Sequence, residues 1–377
     1  MDEDAHMTRS SLDCGDPAIV DVKLVGMVGH CSERDRGDIA SLARQVIAAA
    51  FFICCTASVA QSGNWSELTD RVGPYGGILT IADAKAAAAD GFNLTVQSAY
   101  DPAVVAAMGD LGINYIDIQL WEYIHKQCKI QFDREIAAGG TRHCDLSVDD
   151  QQAVLRDAKA RLDKVKNDPN VAAYWILDDY PWGNVTSTLV ALRRLVDEAN
   201  QETGANKPTI CGIGGSLDHR TATNRKILPD RHYIELALQN ITPAACDVIA
   251  PYFYGAATEN DPTWIDWSMA DLMPWFIQRL RDQGFNHPAL LPVPQAFYAN
   301  KRGGTTYFVQ PRPGDIAAQA NTYCGFGAIA LLFFTWQASD AEHSYANDAD
   351  LREGVRQSAV ACRGQGLKIP AAGRVIR

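Results

Sequence analysis

The sequence predicts an α/β protein whose body is a single (β/α)8 barrel of the TIM type over residues 61–377. A signal peptide at 41–60 precedes it, after a disordered extension or misassigned start at 1–40. Three observations point this way. From Tyr75 onward, apolar strand-like runs alternate with helix-like stretches eight times over some 300 residues, close to the ~250 residues such a barrel needs. The runs are apolar almost continuously, as strands covered on both faces require. An open doubly wound sheet is the alternative, but it would carry a Gly-rich phosphate turn after its first strand. The one candidate here, GIGGS at 212–216, follows the fifth.

Taken in order, YGGILT (75–80) leads to IADAKAAAADGF, and NLTVQSAY (93–100) to DPAVVAAMGDLG. INYIDIQLW (113–121) runs through a cysteine-bearing, loop-like insert to SVDDQQAVLRDAKARLDKVKNDP. VAAYWILDD (171–179) precedes VTSTLVALRRLVDEANQETG, and KPTICGIGG (207–215) precedes RHYIELALQN. CDVIAPYFYG (246–255) precedes SMADLMPWFIQRLRDQG, and PALLPVPQAF (288–297) precedes PGDIAAQANTYCG. AIALLFFTWQ (328–337) precedes DADLREGVRQSAVAC. The second member of each pair reads as a helix from apolar residues spaced i, i+3, i+4, with Asp or Ser at several starts and Gly at several ends.

Upstream, RQVIAAAFFICCTASVAQSG places a basic Arg44 before an uncharged apolar stretch and small residues at Ser58 and Ala60. That is the order of a secretory signal, and the stretch is short of the ~20 residues a membrane span needs. Export and cleavage near Ala60 are therefore expected, with translation starting late, at a residue such as Met27. Cys54 beside Cys55 offers a lipoprotein alternative, which Ile53 fits poorly. Six cysteines follow the cut: Cys128, Cys144, Cys211, Cys246, Cys324 and Cys362. An oxidising compartment permits three disulfides. Cys128 with Cys144 is the first pairing expected and Cys324 with Cys362 the second, while Cys211 and Cys246 could equally pack as buried thiols. No Cys/His spacing of a zinc site occurs, His125, His143, His219 and His232 read as surface residues, and neither metal nor cofactor is expected. A net charge of −11 argues against nucleic acid as a partner, because phosphates are met by clustered Lys and Arg. No stable membrane anchor is expected, and the sequence leaves the oligomeric state open.

In a barrel of this kind chemistry gathers at the C-terminal ends of the strands. Those ends carry Tyr100 and Asp101, Gln119 with Trp121 and Glu122, and Asp178, Asp179, Tyr180 and Trp182. Tyr252 with Tyr254, Gln295, and Trp336 with Gln337 follow. Carboxylates and amides among aromatic rings suit a sugar, whose C–H faces are apolar and whose edges carry hydroxyls.

The segment DPNVAAYWILDDYP (168–181) resembles the fourth-strand motif of many (β/α)8 glycoside hydrolases, roughly P-x-[VL]-x-G-[WY]-[YF]-x-x-D-E-P. DVIAPYFYG is similar to their sixth strand, and ALLFFTWQ to the last, which carries a Trp beneath the sugar. The resemblance spans most of 75–360 and implies a secreted enzyme cleaving glycosidic bonds of an oligo- or polysaccharide. It departs at Tyr180, which stands where the motif has Glu, and at Gln295, where many relatives carry a nucleophilic Glu on strand seven.

Glycoside hydrolysis generally takes two carboxyl groups. Neighbours on a strand face opposite sides, so Asp178 and Asp179 both serve only if the strand bulges or has ended. Asp179 is the first choice of acid, with Asp178 capping or orienting, and the opposite assignment is open. Glu122 is the favoured second carboxylate over Asp117, Asp101 and Glu259, with Asp117 expected to face inward and pair with a polar neighbour. The competing function is a barrel without hydrolytic power that binds glycan.

Overall fold

A computed structural model describes residues 65, 68–97, 101–137, 144–178, 183–214, 231–253, 264–298, 311–336, 343–344 and 346–363. All lie within the unit Gly63–Arg377. The expected extension and signal peptide fall outside the described residues.

The fold is mixed α/β with parallel sheet. In chain order it runs β1 (Arg71–Pro74), α1 (Ile81–Ala89), β2 (Leu94–Gln97), α2 (Pro102–Asp110), β3 (Asn114–Asp117), α3 (Gln119–Ala137), α4 (Val148–Val165), β4 (Val171–Leu177), α5 (Thr186–Thr203) and β5 (Thr209–Gly214). Then follow α6 (Arg231–Leu238), β6 (Val248–Tyr252), α7 (Trp264–Asp282), β7 (Ala289–Leu290), β8 (Phe297–Tyr298), α8 (Pro313–Gly325), β9 (Ala330–Phe333), β10 (His343–Ser344) and α9 (Ala349–Arg363).

Strands β2 to β7 pair in sequential order, all parallel. β1 pairs in parallel with β9, from Arg71 opposite Ala330 to Pro74 opposite Phe333. Isolated parallel bridges join Tyr75 to Val96, Leu290 to Ala328 and Gln295 to Phe334, so β1 also meets β2 and the β7 segment meets β9. The short β8 and β10 form a separate antiparallel pair.

Local chemistry explains the helix boundaries. Thr80 and Ser147 each accept a hydrogen bond from the backbone N–H three residues on, while Asp83 and Asp150 reach back to the cap N–H. These reciprocal boxes satisfy donors that a helix start leaves orphaned. Asp101 caps α2 with Pro102 behind it, where the missing N–H costs nothing. The C-terminal end of α4 is held from outside: buried Lys207 donates Nζ to the carbonyls of Lys166 and Asp168.

β4 is buried at all seven positions, as an inner strand covered on both faces should be. It packs into one apolar core with Leu94, Ile116, Ile210, Ile249 and Leu331 from the other strands.

Three expectations change. The first strand is Arg71–Pro74 rather than YGGILT, because Gly76 and Gly77 take positive φ and turn the chain towards α1. β3 ends at Asp117, so Gln119, Trp121 and Glu122 open a helix. That helix occupies most of the expected loop-like insert, and Cys128 rides on it, bonded to Cys144 as expected. Of the two states left open for Cys211 and Cys246, the disulfide is the one formed, and it ties β5 to the entry of β6. Cys324 is disulfide-bonded too, while the side chain of Cys362 lies outside those described.

Candidate functional site

The site is built on the end of β4. Alternation along a strand would put Trp175 and Leu177 on one face and Ile176 and Asp178 on the other. The β4–β5 register breaks that rule: Trp175 lies opposite Ile210, yet Leu177 lies opposite Cys211, so one residue of β4 is extra. Such a bulge re-aims the side chains beyond it. Trp175 and Asp178 consequently meet around the same point, the direction in which a Cβ on Gly212 would project.

Asp178 is half-buried and accepts hydrogen bonds from two tyrosine hydroxyls. Tyr75, following β1, donates to Oδ2 at 2.5 Å, and Tyr252, the last residue of β6, donates to Oδ1. Each carboxylate oxygen thus accepts a bond from a phenol on a different strand end. Tyr75 stands edge-on to Trp175 at 5.3 Å and against Phe334 at 5.3 Å. The indole N–H of Trp175 is buried with no hydrogen-bond partner among the described residues. Ends of β1, β4 and β6 and the backbone of β5 thus converge on one carboxylate, and all four strands present the same end.

A second polar cluster lies between β3 and the helices α3 and α4. Asp117, fully buried, pairs with Arg161 Nε at 2.8 Å and accepts the Gln119 N–H at 2.9 Å. A polar partner was expected for it, but for a carboxylate facing inward; the partner found, Arg161, comes instead from the helix α4. Burial pushes the Asp117 carboxyl up, against the opposing pull of Arg161. Burial alone would lower the Arg161 guanidinium, but Asp117 holds it up. Glu122, in the first turn of α3, accepts from Gln119 Nε2 at 2.5 Å. Its carboxyl is pushed up by burial and by Asp117, while the bond from Gln119 and the charge of Arg161 pull it down. The charges felt by Glu122 are thus those of this cluster.

Of the residues expected in the site, Asp178 and Tyr252 come together, and Gln119 and Glu122 form a separate pair. Trp121 is only 4% exposed and stacks on His125 at 5.6 Å. Gln295 is fully buried, its N–H donated to Gln319 Oε1. Trp336 is 2% exposed and stands edge-on to Phe92 at 6.4 Å. Asp179, Tyr180, Trp182, Tyr100, Tyr254 and Gln337 lie outside the described residues, as does Glu259. Tyr75, Trp175 and Gly212 were not anticipated. Tyr75 was legible as a strand end had the first strand been read as RVGP, and Gly212 as a glycine inside a buried strand, which marks a close approach.

No known protein-family profile matches the chain, and no curated protein does. Among solved structures it is similar to a β-galactosidase from Marinomonas ef1, with 11% identity, TM-score 0.48 and coverage of 77% of this chain and 59% of that one. It is also similar to an endo-β-1,4-mannanase from Thermotoga petrophila, with 10% identity, TM-score 0.49 and coverage of 79% and 78%. A β-glucuronidase from Ruminococcus gnavus gives 9% identity and TM-score 0.42, covering 76% and 45%. The chain thus spans about three fifths of the β-galactosidase and under half of the β-glucuronidase. With every score below 0.5, these likenesses carry no weight for substrate or mechanism.

Proposed function

We propose that the chain is an exported glycoside hydrolase acting on a neutral oligo- or polysaccharide, on a (β/α)8 barrel closed through the β1–β2 and β7–β9 bridges. The observation that carries the reading is Asp178, turned by the β4 bulge to meet hydroxyls from two other strand ends. Two phenols from other strand ends hold this carboxylate in one orientation at the mouth of the strands, where a sugar hydroxyl, a water or an anomeric carbon would meet it. Asp178 takes the part of the ionised carboxylate, and Asp179 is the candidate proton donor to the leaving oxygen. Glu122 is the alternative second carboxylate, although it stands with Gln119 in the cluster of Asp117 and Arg161, apart from Asp178. Tyr100, Tyr180, Trp182 and Tyr254, with Gln337, are assigned to the sugar-binding wall. Hydrolysis would follow the two-carboxyl scheme, in which one group protonates the glycosidic oxygen while the other attacks or activates water.

Export through a signal at 41–60 is part of the proposal and agrees with the Cys128–Cys144 and Cys211–Cys246 bridges, which persist in oxidising compartments. The test is release of reducing ends by the full chain from a panel of neutral and acidic polysaccharides. Release from at least one of them is expected; glycan binding without any release would replace the hydrolase with a binding protein.

A further inference from the structure

The glycosidase reading leaves open why β5 carries a glycine at 212 in the middle of a fully buried strand, between Cys211 and Ile213. Glycine there is costly: it adds no packing and loses more backbone freedom on folding than any other residue. A Cβ on Gly212 would stand 2.7 Å from Trp175 Cζ2, 2.9 Å from Asp178 Oδ1 and 2.9 Å from Tyr252 Cε1. All three distances fall below ordinary carbon contacts, and the three atoms belong to the side chains that make up the candidate site. Two of those neighbours are rings with little room to yield. Trp175 is fully buried, and Tyr252 is 6% exposed.

We infer that Gly212 is a positioning residue of this site, in that its missing side chain is what lets the Tyr252 hydroxyl close on Asp178 Oδ1. A methyl group at 212 would press on both partners and move the flexible one, the carboxylate, away from the phenol. The effect passes through Asp178 and Tyr252, and Gly212 itself touches no substrate. Its consequence for turnover rests on the glycosidase reading, whereas its consequence for the Tyr252–Asp178 hydrogen bond does not.

The experiment compares Gly212→Ala, Tyr252→Phe and the double variant of the full chain. The carboxyl 13C signal of Asp178, identified by its loss in Asp178→Asn, is followed against pH, alongside crystal structures. Each single variant should move the titration of this signal upward, because a donor to the charged form is lost. The double variant should add nothing to Tyr252→Phe, and the Gly212→Ala structure should show the phenol off the carboxylate. An unchanged signal in Gly212→Ala, or additive shifts in the double variant, would overturn the inference. Should Gly212→Ala fail to fold, Tyr252→Phe alone keeps the inference open to refutation: an unchanged Asp178 signal in that variant would mean that the missing side chain at 212 serves no Tyr252–Asp178 bond, and would overturn it. If the protein cleaves a glycan, Gly212→Ala should lower kcat more than it alters KM, and should cost little once Tyr252 is Phe. A wild-type chain that cleaves nothing, with the spectroscopic result intact, would remove the glycosidase and leave the positioning role standing.

Discussion

Replacing Arg161 by Met strips the fully buried Asp117 carboxylate of its ion partner at 2.8 Å. Removing one member of a buried pair costs ~3–5 kcal/mol, because the remaining charge is left uncompensated. The Gln119 N–H still donates to Asp117 at 2.9 Å, so the lower end applies and the expected loss is about 3 kcal/mol at neutral pH. Against a total stability of ~5–15 kcal/mol that loss is large. Its pH dependence has a definite sign. Burial raises the folded Asp117 carboxyl above its unfolded value of 3.8, and Arg161 opposes the rise. A raised carboxyl binds its proton more tightly folded than unfolded, so its contribution is most favourable below the unfolded value and falls as pH rises through the folded one. Without Arg161 the folded value climbs further, and the decline extends to higher pH. The gap between variant and wild type should therefore shrink on acidification. Urea unfolding followed by tryptophan fluorescence at pH 7.5 and pH 5 measures it, and Asp117→Asn in the same chain should recover most of the loss. A deficit below about 1 kcal/mol, or one equal at both pH values, would refute the reasoning.

Other expectations are as specific. Glu122→Gln should raise the melting temperature at pH 7 to 8, since burial holds the folded carboxyl above its ordinary value of 4.5. The advantage should vanish near pH 4.5, and a constant difference across that range would contradict it. Removing the Cys211–Cys246 bridge opens a 35-residue separation, against 16 for Cys128–Cys144; loop entropy then gives losses of about 4 and about 3 kcal/mol, and denaturant midpoints of the two double-Ala variants test the order. Gly183→Ala should lose at least about 2 kcal/mol, because φ is +152° there and a Cβ would lie 2.1 Å from the Cys144 carbonyl oxygen. Thermal melts would decide that case.

The alternation of apolar runs with capped amphipathic helices made most of the fold legible. Ser147 and Asp101 cap where local chemistry says they should. The helical character of QLWEYIHKQCKIQF is hidden by its many polar and aromatic residues, and its start signals, Asp117 accepting the Gln119 N–H and Glu122 in the first turn, read equally as site residues at a strand end. At the site, the doublet DD was legible but its geometry was not. A bulge is a property of the β4–β5 register, which depends on a partner strand more than thirty residues away. Tyr75 and Tyr252 are likewise 103 and 74 residues from Asp178 in sequence, and only the folded sheet unites them.

The sharpest measurement is turnover of a cleaved glycan by Asp178→Asn and Asp179→Asn, with affinity for the same glycan determined alongside. The account predicts that Asp178→Asn loses at least ~100-fold in kcat while binding is kept. Wild-type turnover in Asp178→Asn would contradict it.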